Sequence, residues 1–143
     1  MKTNLIARAE IEINSTVEKV WDALTNPEKI KEYFFGTYVV TDWKVDSQVL
    51  WQGEWNGKSY EDKGKVLKFE ENKVIAYSHF SPLTGLPDIP ENYHTIEIEI
   101  FPGGSETKVV LTQDGNKNEN EKGHSEENWK MVLEGLKNFV EGD

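Results

Sequence analysis

Apolar residues recur along the chain with two different periods, which predict strands and helices in turn. From Asn4 to Ile13 the odd positions are apolar, and most of the even positions between them are charged. This period of two is typical of a half-buried strand. Between Ser125 and Glu141 the apolar residues fall three and four positions apart, which predicts a long helix with one broad apolar face. Such a helix needs a covering layer.

Two short helices are predicted after the first strand. Apolar residues at helical spacing begin at Val17, and Asn26-Pro27 starts a second helix that ends near Tyr33, because proline is well tolerated in a first turn. From Gly36 onward, turn signals such as Asn56-Gly57 separate about six further strands. This order predicts an α+β fold in which a curved antiparallel sheet of about seven strands surrounds the C-terminal helix.

Three less regular pieces accompany these strands. Residues 43–45 are predicted as a short β-rich piece. Ser81–Asn92 holds three prolines among apolar residues, which predicts a stiff loop, and we expect it to be the door of any cavity. Gly115–Gly123 is polar and is predicted as a connector that leads into the last helix.

Length and charge restrict the class of protein. The 143 residues suit one domain, 1–143, and the net charge of -10 argues against nucleic-acid or anionic membrane partners. No apolar run is long enough to span a membrane, and the first residues lack a signal-peptide core, so a cytoplasmic location is expected. Without cysteine or closely spaced histidines, neither a metal nor another cofactor is predicted.

Short motifs along nearly the whole chain carry a family resemblance. They are Val17–Glu28, Thr41–Trp43, Trp55–Gly57, Gly64–Leu67, Ile75–Ser78, and Asn128-Trp129 with Leu133 and Leu136. In this order they resemble the SRPBCC (START-like, helix-grip) superfamily, and in particular the branch similar to the C-terminal domain of the heat-shock-protein-90 ATPase activator.

The resemblance implies a cavity between the sheet and the C-terminal helix. Many members of the superfamily bind lipids, sterols or polyketides there, and some catalyse cyclisation. This chain departs from the pattern at three positions: Gln113 replaces a common His, His79 a frequent Trp, and Asn128 a Gly. The first two are predicted to face inward, where they would change the polarity of the cavity.

Eight residues are predicted to contact a ligand, because strand parity and the helical face direct them inward. They are Trp51, Trp55, Tyr77, His79, Leu111, Gln113, Trp129 and Leu133. Together they would form an apolar pocket with a few polar tips; the alternative is that they fill a packed core. His79 could orient a ligand or move a proton. Tyr77 lies two residues from it, roughly 7 Å along a strand, so no catalytic pair is assigned.

Three functions follow from these residues and from the resemblance. We favour the binding of a small hydrophobic molecule, lipid-like or polyketide-like, with no assigned reaction. The first alternative is a chaperone-associated stress-response module whose acidic surface meets a basic partner. The second is a cyclase- or aromatase-type enzyme using His79, Tyr60 or Glu54 in the same cavity. The chain is expected to be a monomer or a weak dimer.

Overall fold

A computed structural model describes residues 5–34, 36–55, 57–82 and 85–142, apart from the side chain of Trp55. The elements are β1 Leu5–Ile13, α1 Val17–Thr25, α2 Pro27–Tyr33, β2 Tyr38–Val40, β3 Gln48–Trp55, β4 Lys58–Glu70, β5 Val74–His79, β6 His94–Gly103, β7 Glu106–Asn116 and α3 Glu119–Glu141.

The seven strands form one antiparallel sheet in the order β1-β7-β6-β5-β4-β3-β2. The first strand therefore pairs with the last one, and the two short helices connect the opposite edges of the sheet. Helix α3 packs against β1 and β7 and also touches α1 and α2. The curved sheet and the long final helix confirm the predicted α+β helix-grip fold.

The core lies between the sheet and α3. Val49 of β3 and Val109 of β7 have no exposed surface, and Leu133 and Leu136 of α3 are equally well covered. Burial of each such side chain stabilises the fold by about 1.5–3 kcal/mol. The apolar face of α3 and the inward residues of the strands are therefore the main support for this arrangement.

Helix α3 begins at Glu119, earlier than the predicted Ser125, so most of the predicted connector Gly115–Gly123 is shared between β7 and α3. The Asn118 side chain caps this helix by accepting a hydrogen bond from the backbone N–H of Glu121 at 2.8 Å. The acidic side chains in the first turn interact favourably with the positive end of the helix dipole. This extension carries no apolar stripe, so hydrophobic spacing alone could not detect it.

The predicted β-rich piece at residues 43–45 is not a strand. Trp43 has a φ of 59° and Asp46 a φ of 73°, both in the left-handed region, which is incompatible with an extended ladder. The indole of Trp43 donates a hydrogen bond to the carbonyl oxygen of Thr25 at 2.7 Å and stacks on Phe69. This segment therefore fastens the end of α1 to the sheet.

Candidate functional site

A cavity of about 440 Å³ lies between the sheet and α3. Trp51, Tyr77 and Ile96 form part of its wall on the sheet, and Trp129 and Val132 face them from the helix. Polar side chains from β4, β5, β6 and β7 also line it. The fold thus leaves a space with both aromatic and polar walls, which is the general make-up of a small-molecule pocket.

The predicted contact residues divide between two spaces. Five of them line this cavity, namely Trp51, Tyr77, His79, Gln113 and Trp129. Leu111 and Leu133 instead surround a smaller void of about 40 Å³, which Trp51, Tyr77 and Trp129 also line. The side chain of Trp55 lies outside the described residues. A role for any of the eight as a ligand contact stays a prediction.

His79 forms an ion-pair-like contact with Asp62, which sequence analysis did not single out. The His79 Nε2 lies 2.9 Å from Asp62 Oδ2. A carboxylate accepts hydrogen bonds, so Nε2 carries the hydrogen, and Nδ1 is the acceptor of the neutral ring. Trp51 meets the imidazole edge-on with ring centroids 4.9 Å apart. Asp62 faces inward because it is the partner of Trp51 in the β3–β4 ladder.

The second carboxylate oxygen of Asp62 lowers the stability of the fold because it is buried without a hydrogen bond. Asp62 Oδ1 is buried with no hydrogen-bond partner, the one such side-chain atom in the described part of the chain. Leaving a buried acceptor unsatisfied costs about 1–3 kcal/mol, and more when the group is charged. A group retained at such a cost is a candidate for a role in binding or proton transfer.

Gln113 is fixed in one orientation by Trp129. The Trp129 Nε1 lies 2.6 Å from Gln113 Oε1. An indole N–H can only donate, so the amide oxygen must be the atom that faces it. The Gln113 Nε2 then keeps two hydrogens, and no partner for them exists among the described residues. Gln113 is therefore a hydrogen-bond donor on the cavity wall.

Two tyrosines add hydroxyl groups. Tyr60 Oη lies 2.8 Å from Thr37 Oγ1. The Tyr60 ring fits over Gly53, where an added Cβ would come within 2.6 Å of the hydroxyl oxygen. Tyr77 lines the cavity, and burial raises the pKa of its hydroxyl far above the ordinary value. Tyr77 thus offers a neutral hydroxyl group at physiological pH.

His94 is paired with His79 across β5 and β6 and lines the cavity. Its Nδ1 lies 2.8 Å from the carbonyl oxygen of Asp114, so that nitrogen carries the hydrogen. The Asp114 carboxylate also accepts a hydrogen bond from the backbone N–H of Thr95. His94 is held by the β6–β7 ladder, and its Nε2 is an acceptor when the ring is neutral.

The predicted door is tied to the strands beside it. Lys63 of β4 forms an ion pair with Asp88, and Tyr93 Oη donates a hydrogen bond to the same carboxylate at 2.6 Å. These contacts lower the pKa of Asp88, with Lys63 as the larger cause. Leu86 lines the cavity although it is partly exposed, and Pro90–Asn92 forms a short 3-10 turn. Movement of this loop as a door stays a prediction.

Within residues 5–34, 36–55, 57–82 and 85–142, no group of three or more His, Cys, Asp or Glu side chains is placed to hold a metal ion. Across those same ranges, no helix combines the length and apolar character that crossing a bilayer requires. The cavity wall carries hydrogen-bonding groups and aromatic rings, and the Asp62–His79 contact lies among them.

Comparison with known proteins identifies the family. The family model described as "Activator of Hsp90 ATPase homolog 1-like protein" matches residues 14–141. A protein from Cytophaga hutchinsonii with a known solution structure is 56% identical, with a TM-score of 0.87; the match covers 99% of this chain and 97% of that chain. No match was found among curated proteins.

Two more distant structures share the fold. The Aha1 dimer from Colwellia psychrerythraea is 21% identical with a TM-score of 0.73, over 95% of this chain and 96% of that chain. DynU16, a protein in the dynemicin biosynthetic locus, is 14% identical with a TM-score of 0.80. The match covers 97% of this chain but 48% of DynU16, so the chain spans about half the length of that protein.

Proposed function

This chain belongs to the family of activator of Hsp90 ATPase homolog 1-like proteins, and from that premise we propose that it binds a small hydrophobic ligand in the cavity between the sheet and α3. The ligand is lipid-like or polyketide-like. The observation that carries this proposal is a space of about 440 Å³ beside an otherwise well-packed core. A hydrophobic ligand in this space would remove its own apolar surface and that of the aromatic walls from water, which favours binding.

The expected affinity is moderate. If ligand and walls together remove about 400 Å² of apolar surface from water, the gross gain is about 10 kcal/mol. Loss of translational and rotational freedom takes back at least about 4 kcal/mol. The remaining 6 kcal/mol or so corresponds to a dissociation constant of tens of micromolar. Hydrogen bonds to His79, Tyr77 and Gln113 would add to this and set the orientation.

One distant structural neighbour supports a small-molecule role. DynU16 is described as a protein in a biosynthetic locus, and it shares the sheet-and-helix fold around which the cavity forms. Burial at the cavity also supports the proposal, because Trp51 and Tyr77 are buried in the sheet while their rings still line open space. Aromatic side chains that both line a space and stay fixed are good ligand contacts.

The direct test is native mass spectrometry of the protein purified from its own host, which should reveal a co-purifying hydrophobic molecule. A matched pair of variants on α3 locates the site. Val132→Trp would fill the cavity from the helix, whereas Met131→Trp adds the same side chain at a neighbouring exposed position. An environment-sensitive apolar dye should bind the wild type and Met131→Trp and lose most of its binding to Val132→Trp. Equal binding to both variants, with unchanged melting temperatures, would refute the proposal.

A partner protein is a second candidate, supported by one observation. The distant structural neighbour from Colwellia psychrerythraea is described as a dimer, and we propose a monomer or weak dimer for this chain. Light scattering over a range of protein concentrations would measure it. If the partner is a chaperone of the Hsp90 type, adding this protein should stimulate the ATP turnover of the chaperone.

A further inference from the structure

We propose that the cavity selects an apolar ligand with a hydroxyl group at one end and a carbonyl oxygen at the other. The hydroxyl donates a hydrogen bond to His79 Nδ1, and the carbonyl accepts one from Gln113 Nε2. This inference rests on the proposed function, because it names the chemical class of ligand that the same cavity takes.

The acceptor end is set by Asp62. In the neutral imidazole of His79, the nitrogen that faces the Asp62 carboxylate at 2.9 Å, Nε2, carries the hydrogen, and Nδ1 is then the lone-pair nitrogen. That nitrogen has no hydrogen-bond partner among the described residues, and it is not one of their buried unsatisfied atoms. The imidazole lines the cavity and keeps 28% of its side-chain surface exposed. A ligand hydroxyl is therefore a suitable donor for it.

The donor end is set by Trp129. Its indole N–H occupies the Gln113 amide oxygen at 2.6 Å, which leaves the amide hydrogens for a ligand. A carbonyl oxygen accepts such hydrogens and donates nothing, so it fits this position better than a second hydroxyl would. The two ends of the cavity thus differ in hydrogen-bonding character, and each is oriented by its own partner.

The ladder gives the separation of the two ends. Gln113 pairs with Ile96, and Ile96 pairs with Tyr77, so Gln113 lies two strands away from β5. Neighbouring strands are about 4.8 Å apart, and His79 lies two residues, about 7 Å, beyond Tyr77. The Cα atoms of His79 and Gln113 are therefore roughly 12 Å apart. One aromatic ring between a hydroxyl and a carbonyl group can span this distance with a hydrogen bond at each end.

Three probes of nearly equal shape separate the two hydrogen bonds. 4-Hydroxybenzophenone carries both groups, 4-methoxybenzophenone cannot donate, and 4-benzylphenol lacks the carbonyl oxygen. Isothermal titration of the wild type should show each of the last two binding about 3- to 10-fold more weakly than the first, the usual effect of one hydrogen bond. Each loss of affinity should disappear in a variant that lacks the residue forming that hydrogen bond.

Variants assign each bond to its residue. Asp62→Leu with His79→Phe keeps a planar ring beside Trp51 and leaves no unpaired carboxylate, and it should bind the hydroxyl and methoxy probes equally. Gln113→Glu still accepts from Trp129 but loses the amide hydrogens, so it should discriminate no longer between 4-hydroxybenzophenone and 4-benzylphenol. His124→Gln, at an exposed histidine of α3 that does not line the cavity, should behave as the wild type.

A spectroscopic measurement on the wild type holds even if a variant fails to fold. The ¹⁵N resonance of His79 Nδ1 should move on addition of 4-hydroxybenzophenone and stay in place with 4-methoxybenzophenone, and His124 should respond to neither. Equal affinity of the wild type for the hydroxyl and methoxy probes would overturn the inference and leave the proposed function standing. Failure of all three probes and of the apolar dye to bind would overturn the proposed function itself.

Discussion

Replacing both members of the Asp62–His79 pair with apolar residues should leave the protein as stable as before, or more stable, whereas replacing His79 alone should destabilise it. The pair is largely buried, with side-chain exposures of 14% for Asp62 and 28% for His79, and one carboxylate oxygen is already unsatisfied. Removing one partner of a buried pair costs about 3–5 kcal/mol, and replacing both is often neutral or stabilising by 1–4 kcal/mol. Because His79 is partly exposed, we expect values near the lower ends of these ranges.

The assay is urea unfolding of His79→Phe, of Asp62→Leu and of the double variant at pH 7, with the m-value checked for constancy. Together with the wild type, these variants form a double-mutant cycle, which gives the interaction free energy between positions 62 and 79. His79→Phe with wild-type stability, or a double variant as unstable as His79→Phe, would refute the reasoning.

Three further outcomes are expected. Gly64→Ala should destabilise the protein by several kcal/mol in urea unfolding, because the new Cβ would lie 1.7 Å from a backbone carbonyl oxygen of β5. Gly123→Ala is the control: its Cβ would meet nothing within 4 Å, so it should stabilise α3 by up to about 1 kcal/mol. Burial raises the pKa of Tyr33 and Tyr77 in the folded protein. The free energy of unfolding should therefore keep their full contribution below about pH 10, the pKa of tyrosine in the unfolded chain, and should fall as the pH rises above it. In Tyr77→Phe this fall should be less steep. Asn118→Ala should cost about 0.5–2 kcal/mol and lower helicity by circular dichroism, and an unchanged midpoint would contradict its role as the cap of α3.

Sequence patterns were sufficient for the elements that bury an alternating or helical apolar face. They predicted β4 as a strand but not which of its residues face inward, because charged residues occupy both faces. Val66 is the fully buried residue from which the parity can be counted, and steps of two backward reach Gly64, Asp62 and Tyr60. The burial of Val66 comes from the structure, and Leu67 and Phe69 on the opposite parity are equally apolar, so the sequence alone did not show that Asp62 faces inward. The contact of Asp62 with His79 was not predictable either, because it depends on where β5 lies beside β4.

Three positions that depart from the family resemblance line the cavity, and at two of them, His79 and Gln113, a neighbouring side chain orients the hydrogen bonds. The resemblance leads one to expect a Trp at position 79, and an indole there could donate but never accept. His79 with Asp62 provides an acceptor instead. It also leads one to expect a His at position 113, whereas Gln113 on Trp129 provides a donor that no change of pH removes. Because distant relatives share the fold, we propose that the Asp62–His79 and Gln113–Trp129 pairs, more than the presence of the cavity, decide which ligand this chain takes.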